Sequence, residues 1–174
     1  MIKQLPDSWV RKAVHNAINN CSVVDPFDTT VVYLQDDQGN NVQDGEGNNI
    51  QVLNTILIPC YDSRVPTNGN KTHYILMSTQ TNRVAKTNKC EDMYESSILL
   101  DIVTIYNGTG NTGSRVLADN ILDKVRELTN NLVLDVSSNL VVQRQTQDFP
   151  NDIVSITKNQ NVFRKLMRLE LTIN

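Results

Sequence analysis

Hydrophobic residues recur at helical spacing in two segments of the chain. Pro6-Asp7-Ser8 offers an N-cap for a helix over residues 7–20. An apolar stripe of one buried face follows it: Val10, Ala13, Val14, Ala17, Ile18 and Cys21. In residues 114–129 charged side chains lie opposite a second stripe: Leu117, Ala118, Ile121, Leu122, Val125 and Leu128. The pattern predicts an N-terminal helix and one long central helix, the second ending in a left-handed cap at Asn130–Asn131.

Alternating or β-branched runs predict strands elsewhere. These runs are residues 29–34, 53–58, 72–79, 97–106, 132–136, 140–145, 153–157 and 162–173. The order of helix, strands, helix and strands predicts an α+β fold, in which a mostly antiparallel sheet is packed by the N-terminal helix and the long central helix. The length of 174 residues suits one domain, residues 1–174.

Residues 35–52 interrupt this pattern with a turn-rich repeat. The unit Gly-Asn-Asn-(Val/Ile)-Gln occurs twice, eight residues apart. Glycine, asparagine and aspartate tolerate positive φ, so the segment predicts a projecting hairpin or long loop. Four acidic residues here raise the alternative of a calcium loop: Asp36, Asp37, Asp44 and Glu46. The spacing does not support that alternative, because the glycine at the sixth position and the distal glutamate of an EF-hand are missing.

Composition narrows the classes of function. The net charge is −3 and the pI is about 5.3, which argues against a dedicated nucleic-acid binder. No apolar run reaches the roughly 18 residues of a membrane helix, and the first residues lack the apolar core of a secretory signal. We therefore expect a soluble protein made in the cytoplasm, with many loops because 22 residues are asparagine.

The cysteines and histidines predict neither a metal site nor a nucleophile. Cys21, Cys60 and Cys90 are widely spaced without a CxxC pair, and we expect reduced, semi-buried thiols. His15 and His73 are not at ligand spacing from a cysteine or from each other, so no zinc site is predicted. Nothing near Cys60 in the sequence would activate its thiol. We expect no cofactor and no metal.

One glycine-rich segment resembles a dinucleotide-binding motif. Gly108, Gly110 and Gly113 form a literal GxGxxG between a predicted strand and a predicted helix, and Asp135 follows some twenty residues later. Strand patterns follow Asp135, however, and no βαβ repetition precedes the motif. A plain strand-to-helix turn is the favoured interpretation, and a dinucleotide-binding enzyme remains the alternative.

Charge is distributed unevenly along the chain. Residues 1–62 hold eight acidic and three basic side chains, whereas residues 63–90 hold five basic and no acidic ones. Either this is ordinary surface scatter, or the molecule has acidic and basic faces that suit head-to-tail contacts between like subunits. The candidate interface residues are Asp36, Asp37, Asp44, Glu46, Arg64, Lys71, Arg83, Lys86, Lys89, Arg164, Lys165 and Arg168.

The order of these elements resembles bacteriophage tail-terminator or tail-completion proteins. The resemblance rests on an N-terminal helix, the strands at residues 72–77 and 97–106, the Gly/Asn turn, the helix around residues 118–126 and the closing strand at 164–173. It is a likeness of pattern and spacing over residues 5–34 and 53–173. The Asn/Thr-rich, Cys-poor composition also resembles a neck ring protein of a crAss-like phage.

The resemblance implies a virion structural protein of the neck, made in the host cytoplasm, that is not an enzyme. It implies a ring of six or twelve copies at the head-to-tail junction, in contact with portal, adaptor or other neck and tail rings. Genomic DNA would pass through without specific binding, since an acidic lumen repels phosphate, and no membrane is involved. We expect the loop at residues 36–46 to face the channel or a neighbouring ring. The alternatives are a small soluble partner-binding adaptor and the dinucleotide-binding enzyme.

Overall fold

Strands dominate the structure. The computed structural model describes residues 6–26, 30–69, 72–87, 92–107, 113, 115–150, 152–157 and 159–174. Its helices are α1 (Asp7–Ile18) and α2 (Arg115–Thr129), with a short 3-10 turn at Val136–Ser138. Its strands are β1 (Cys21–Val24), β2 (Val32–Tyr33), β3 (Gln51–Val52), β4 (Thr55–Ile58), β5 (Cys60–Asp62), β6 (His73–Thr87), β7 (Asp92–Asn107), β8 (Val142–Asp148), β9 (Asp152–Ile156) and β10 (Gln160–Ile173).

The predicted α+β fold packed by a long central helix is wrong. Strands make up 49% of the structure, and the two helices, both short, make up 20%. Strands β6, β7 and β10 have 15, 16 and 14 residues. Strands β6 and β7 extend beyond the predicted runs into more polar residues, 80–87 and 92–96, where no hydrophobic alternation shows in the sequence. Helix α2, at 15 residues, is only about 22 Å long. It therefore covers part of a sheet whose strands are more than twice that length.

The main sheet has the strand order β5-β6-β7-β10-β8, with β9 also pairing with β10. The pairs β6–β7, β7–β10, β10–β8 and β10–β9 are antiparallel, and β5 is parallel to β6. Strands β8 and β9 lie in line along the same side of β10, because β8 pairs with residues 168–173 and β9 with residues 161–165. Two small sheets, β1–β4 and β2–β3, accompany the main sheet.

Both helices pack on one face of the main sheet. The buried residues there come from the helices (Val10, Val14, Ile18, Leu117, Ile121, Val125) and from the central strands (Ile98, Leu100, Ile102, Met167, Leu169, Leu171, Ile173). Burial of each large aliphatic side chain contributes roughly 1.5–3 kcal/mol. Neither described helix covers the opposite face, which we call the outer face. Within the described ranges, no helix is long and apolar enough to cross a membrane.

Several element predictions are confirmed and others are not. Helices α1 and α2 lie where the apolar stripes place them, and Asn131 has the predicted left-handed conformation with φ 57°. The predicted strand at residues 132–136 is absent. Instead, Leu132 and Leu134 are buried in an irregular segment, and the Asp135 carboxylate accepts a hydrogen bond from the Ser137 amide at 2.9 Å to begin the 3-10 turn.

Candidate assembly interface

Residues 30–53 form an unusual three-way junction, which we call the acidic arm. Three two-stranded ladders meet there: the β2–β3 stem, a hairpin closed at Gln35–Asn41 and a second hairpin closed at Gln43–Asn49. Their meeting point is a cycle of three backbone hydrogen bonds between Leu34, Val42 and Ile50, each donating to the next around the ring. The distances are 2.9 Å from Leu34 N to Ile50 O, 2.9 Å from Ile50 N to Val42 O and 2.7 Å from Val42 N to Leu34 O.

The eight-residue repeat explains this geometry. Asp36 Oδ1 accepts hydrogen bonds from the amides of Gln38 and Asn40 at 2.9 and 2.8 Å, and Asp44 makes the equivalent bonds to Glu46 and Asn48. The backbone hydrogen bond from Asn40 is the main cause of the lowered pKa of Asp36, and that from Asn48 has the same effect on Asp44. These two carboxylates therefore build the turns.

The other two acidic residues of the arm take no part in the turns. Asp37 and Glu46 are exposed at the two hairpin tips. Among the residues that the structure describes, no side-chain hydrogen bond or ion pair engages either carboxylate. The arm contains no lysine or arginine, so it presents net negative charge to its surroundings.

The arm also exposes apolar surface. No residue from 30 to 57 is buried, and among the described strands β2 and β3 pair only with each other. The exposed apolar side chains in this range are Val31, Tyr33, Leu34, Val52, Leu53 and Leu57. An exposed apolar patch rimmed by polar residues is typical of a surface that binds another macromolecule.

A polar groove lies on the outer face, where β6, β7, β10 and β8 run side by side. It has a volume of about 490 Å³, and we call it the outer groove. Its charged lining residues are Arg83, Glu95, Arg144, Arg168 and Glu170. Arg83 pairs with Glu95, whereas Arg144 and Arg168 have no ion pair among the described residues.

The remaining basic candidates do not form one surface. Arg164 binds Asp101 through two nitrogens, and Lys165 Nζ lies 2.6 Å from the carboxylates of both Asp119 and Asp152. These ion pairs tie β10 to β7, α2 and β9 within the subunit. Arg64 is exposed in the loop after β5.

Three of the predicted interface residues have no described side chain, and one residue of the outer groove was not predicted. Lys71 and Lys89 lie outside the described residues, as does the side chain of Lys86. Arg144 was not among the predicted interface residues, although it lines the same groove as Arg83 and Arg168. The strand predicted at residues 140–145 contains Arg144, but the position of β8 beside β10 follows only from the fold.

The sheet also has two open edges: β8 and β9 lie in line along one of them, and residues 80–87 of β6 form the other. Every residue of β9 is exposed, including Ile153, Val154 and Ile156, and its one charged side chain, Asp152, is held by Lys165. On the far side, residues 80–87 of β6 pair only with β7 among the described strands. Edge strands are usually blocked by charges, prolines or bulges, so an apolar edge such as β9 invites pairing.

The GxGxxG segment has a packing explanation at its last glycine. Gly113 has φ +89°, and a Cβ there would collide with the ring of Tyr106. Strand β7, which precedes the turn, has antiparallel partners on both sides rather than the parallel neighbours of a dinucleotide-binding sheet. Residues 108–112 lie outside the described residues.

The cysteines and histidines form no cluster suited to a metal. Cys21 and Cys60 are buried free thiols, and burial raises the pKa of Cys60 to about 12. Cys90 lies outside the described residues. Across the described ranges, no group of three or more His, Cys, Asp and Glu side chains is placed to hold a metal ion.

No protein-family model matches the chain, and no curated protein matches it significantly.

Proposed function

We propose that this protein is a structural subunit of a bacteriophage neck, and that copies of it join edge to edge into a closed ring at the head-to-tail junction. The specific place in the virion rests on the resemblance of the sequence pattern to tail-terminator and tail-completion proteins. The supporting structural observation is the pair of open edges of the main sheet.

The two edges match in level. Pairing across the sheet connects Arg83 on β6 to Glu95 on β7, then to Thr172 on β10, then to Arg144 on β8. The open part of β6 and the open side of β8 therefore lie at the same height on opposite sides of the molecule.

The two edges also match in direction. Strands β6 and β10 run the same way, and β8 runs opposite to both. A second copy related by rotation about a ring axis would therefore place its β6 antiparallel to β8 of the first. Such a contact uses two different surfaces of each copy, and repetition of a heterologous contact gives a ring when the rotation closes. Closure leaves neither β8 nor residues 80–87 of β6 as an unpaired edge.

Hydrogen exchange tests this proposal at the backbone. We expect amides of β8 and of residues 80–87 to exchange more slowly in assembled protein than in dilute protein. Helix α2 serves as the internal control, because it lies on the covered face and its exchange should not change. Negative-stain images of the same sample should show closed rings with a central opening. Assembly without added protection of either edge would contradict edge pairing, and a protein that binds one partner as a monomer would instead be an adaptor.

A further inference from the structure

We infer that the acidic arm of one copy docks in the outer groove of a second copy, with Asp37 and Glu46 pairing with Arg144 and Arg168. This inference rests on the proposed assembly and names a second contact within it. The occupant is thus a segment of this same chain, and the surface is the outer face of its sheet.

The two tip carboxylates of the arm, Asp37 and Glu46, have no hydrogen bond or ion pair among the described residues. The arm carries four carboxylates and no cation. Asp36 and Asp44 are committed to their own turns, which leaves Asp37 and Glu46 as the two carboxylates free to form a contact. Leu34 at the junction and Tyr33 and Val52 of the stem are exposed as well, so docking would cover apolar surface beside the charges.

The groove has the complementary charges. Of its three arginines, Arg83 is already paired with Glu95. Arg144 and Arg168 reach the same groove from neighbouring strands, and neither has an ion pair among the described residues. The two unpaired carboxylates of the arm therefore match the two unpaired guanidinium groups of the groove in number. Arginine is the cation best suited to bind carboxylates in a fixed geometry.

Edge pairing would increase the need for negative charge at this place. Arg83 and Arg144 lie at the same level on opposite sides of the sheet. Continuing the sheet into a neighbour at that level brings Arg83 of one copy beside Arg144 of the next, and like charges on adjacent strands oppose pairing. Carboxylates from an acidic arm would offset this repulsion, which links the two contacts.

Charge reversal in the full-length chain tests the inference. We would prepare an arm variant, Asp37→Arg/Glu46→Arg, and a groove variant, Arg144→Glu/Arg168→Glu, and measure oligomer mass against concentration. Each variant alone should need at least about tenfold more protein to assemble than wild type. An equimolar mixture should assemble again, because each reversed arm then meets a reversed groove. Misfolding cannot produce this rescue. The control variant, Asp123→Arg/Glu127→Arg on the exposed side of α2, should assemble like wild type.

The outcomes separate the two proposals. If the wild type assembles and the arm and groove variants assemble equally well, the docking is overturned but the ring is not. Loss of assembly in both variants without rescue in the mixture would also overturn it. Variants that keep wild-type assembly while the groove variant alone loses binding to duplex DNA would show a phosphate-binding surface instead. A wild-type protein that stays monomeric at every concentration would overturn both proposals.

Discussion

The most quantitative prediction concerns a charge buried on the outer face. Asp101 lies in the centre of β7, and its side chain is 4% exposed. Arg164 on β10 binds it through two nitrogens, with Nε 3.1 Å from Oδ1. The carboxylate is the first cause of the raised pKa of Arg164. Replacement of Arg164 by methionine would leave a buried carboxylate without its counter-ion.

The expected loss of stability follows from the burial of the Asp101 carboxylate. Removal of one partner of a buried ion pair destabilises a protein by about 3–5 kcal/mol. Because the Arg164 side chain is 41% exposed, water already reaches the pair, and we expect the lower end, about 3 kcal/mol. For a chain of this length that corresponds to a fall in Tm of roughly 6–12 °C. The same substitution at Arg83, whose pair with Glu95 is 77% and 43% exposed, should cost only about 0–1 kcal/mol.

Urea unfolding followed by circular dichroism, at a protein concentration below assembly, measures both variants. The double variant Asp101→Leu/Arg164→Met should recover most of the loss, to within about 1 kcal/mol of wild type, because apolar replacement of a buried pair is often neutral. The reasoning is refuted if Arg164→Met costs no more than Arg83→Met. It is also refuted if the double variant is as unstable as the single one.

Three further predictions test individual side chains. Both amide atoms of Asn82 are buried without a hydrogen bond among the described residues, so Asn82→Val should raise the free energy of unfolding by about 1 kcal/mol, and a lower urea midpoint would contradict this. Burial lowers the pKa of His73, so the unfolded chain takes up a proton near its ordinary pKa of about 6.5 before the folded chain does. Stability should therefore fall as the pH drops through about 6.5, and less so in His73→Phe; unchanged pH dependence in that variant would contradict the assignment. Burial raises the pKa of Cys60 to about 12, so a thiol reagent at pH 8 should modify Cys60 only after unfolding, as mass spectrometry of labelled peptides can show.

The sequence predicted local elements better than their arrangement. The two helices follow from apolar stripes that any 3.6-residue repeat reveals, and the turns of the arm follow from glycine and asparagine at fixed positions. The lengths of β6 and β7 could not be predicted, because residues 80–87 are polar and become strand only through pairing with a neighbour. The emphasis on a helix-packed sheet was wrong for the same reason.

In the candidate interface, too, the sequence predicted local features but not their arrangement. The acidic repeat was visible as a surface feature, but the hydrogen-bonded cycle of Leu34, Val42 and Ile50 depends on three residues spaced by eight meeting at one point. Arg164 and Lys165 were grouped with Arg168 because they are neighbours in sequence. Successive side chains of a strand point to opposite faces, and the pairing of Arg164 with Asp101 depends on strand register, so only Arg168 remains available in the groove.

The central claim is that copies of this chain close into a ring. Light scattering coupled to size-exclusion chromatography, over a concentration series of the purified protein, tests it most directly. The account predicts one discrete oligomer of fixed mass that grows at the expense of monomer and is not extended at higher concentration. A strict monomer throughout, or a polymer whose mass keeps rising with concentration, would contradict it.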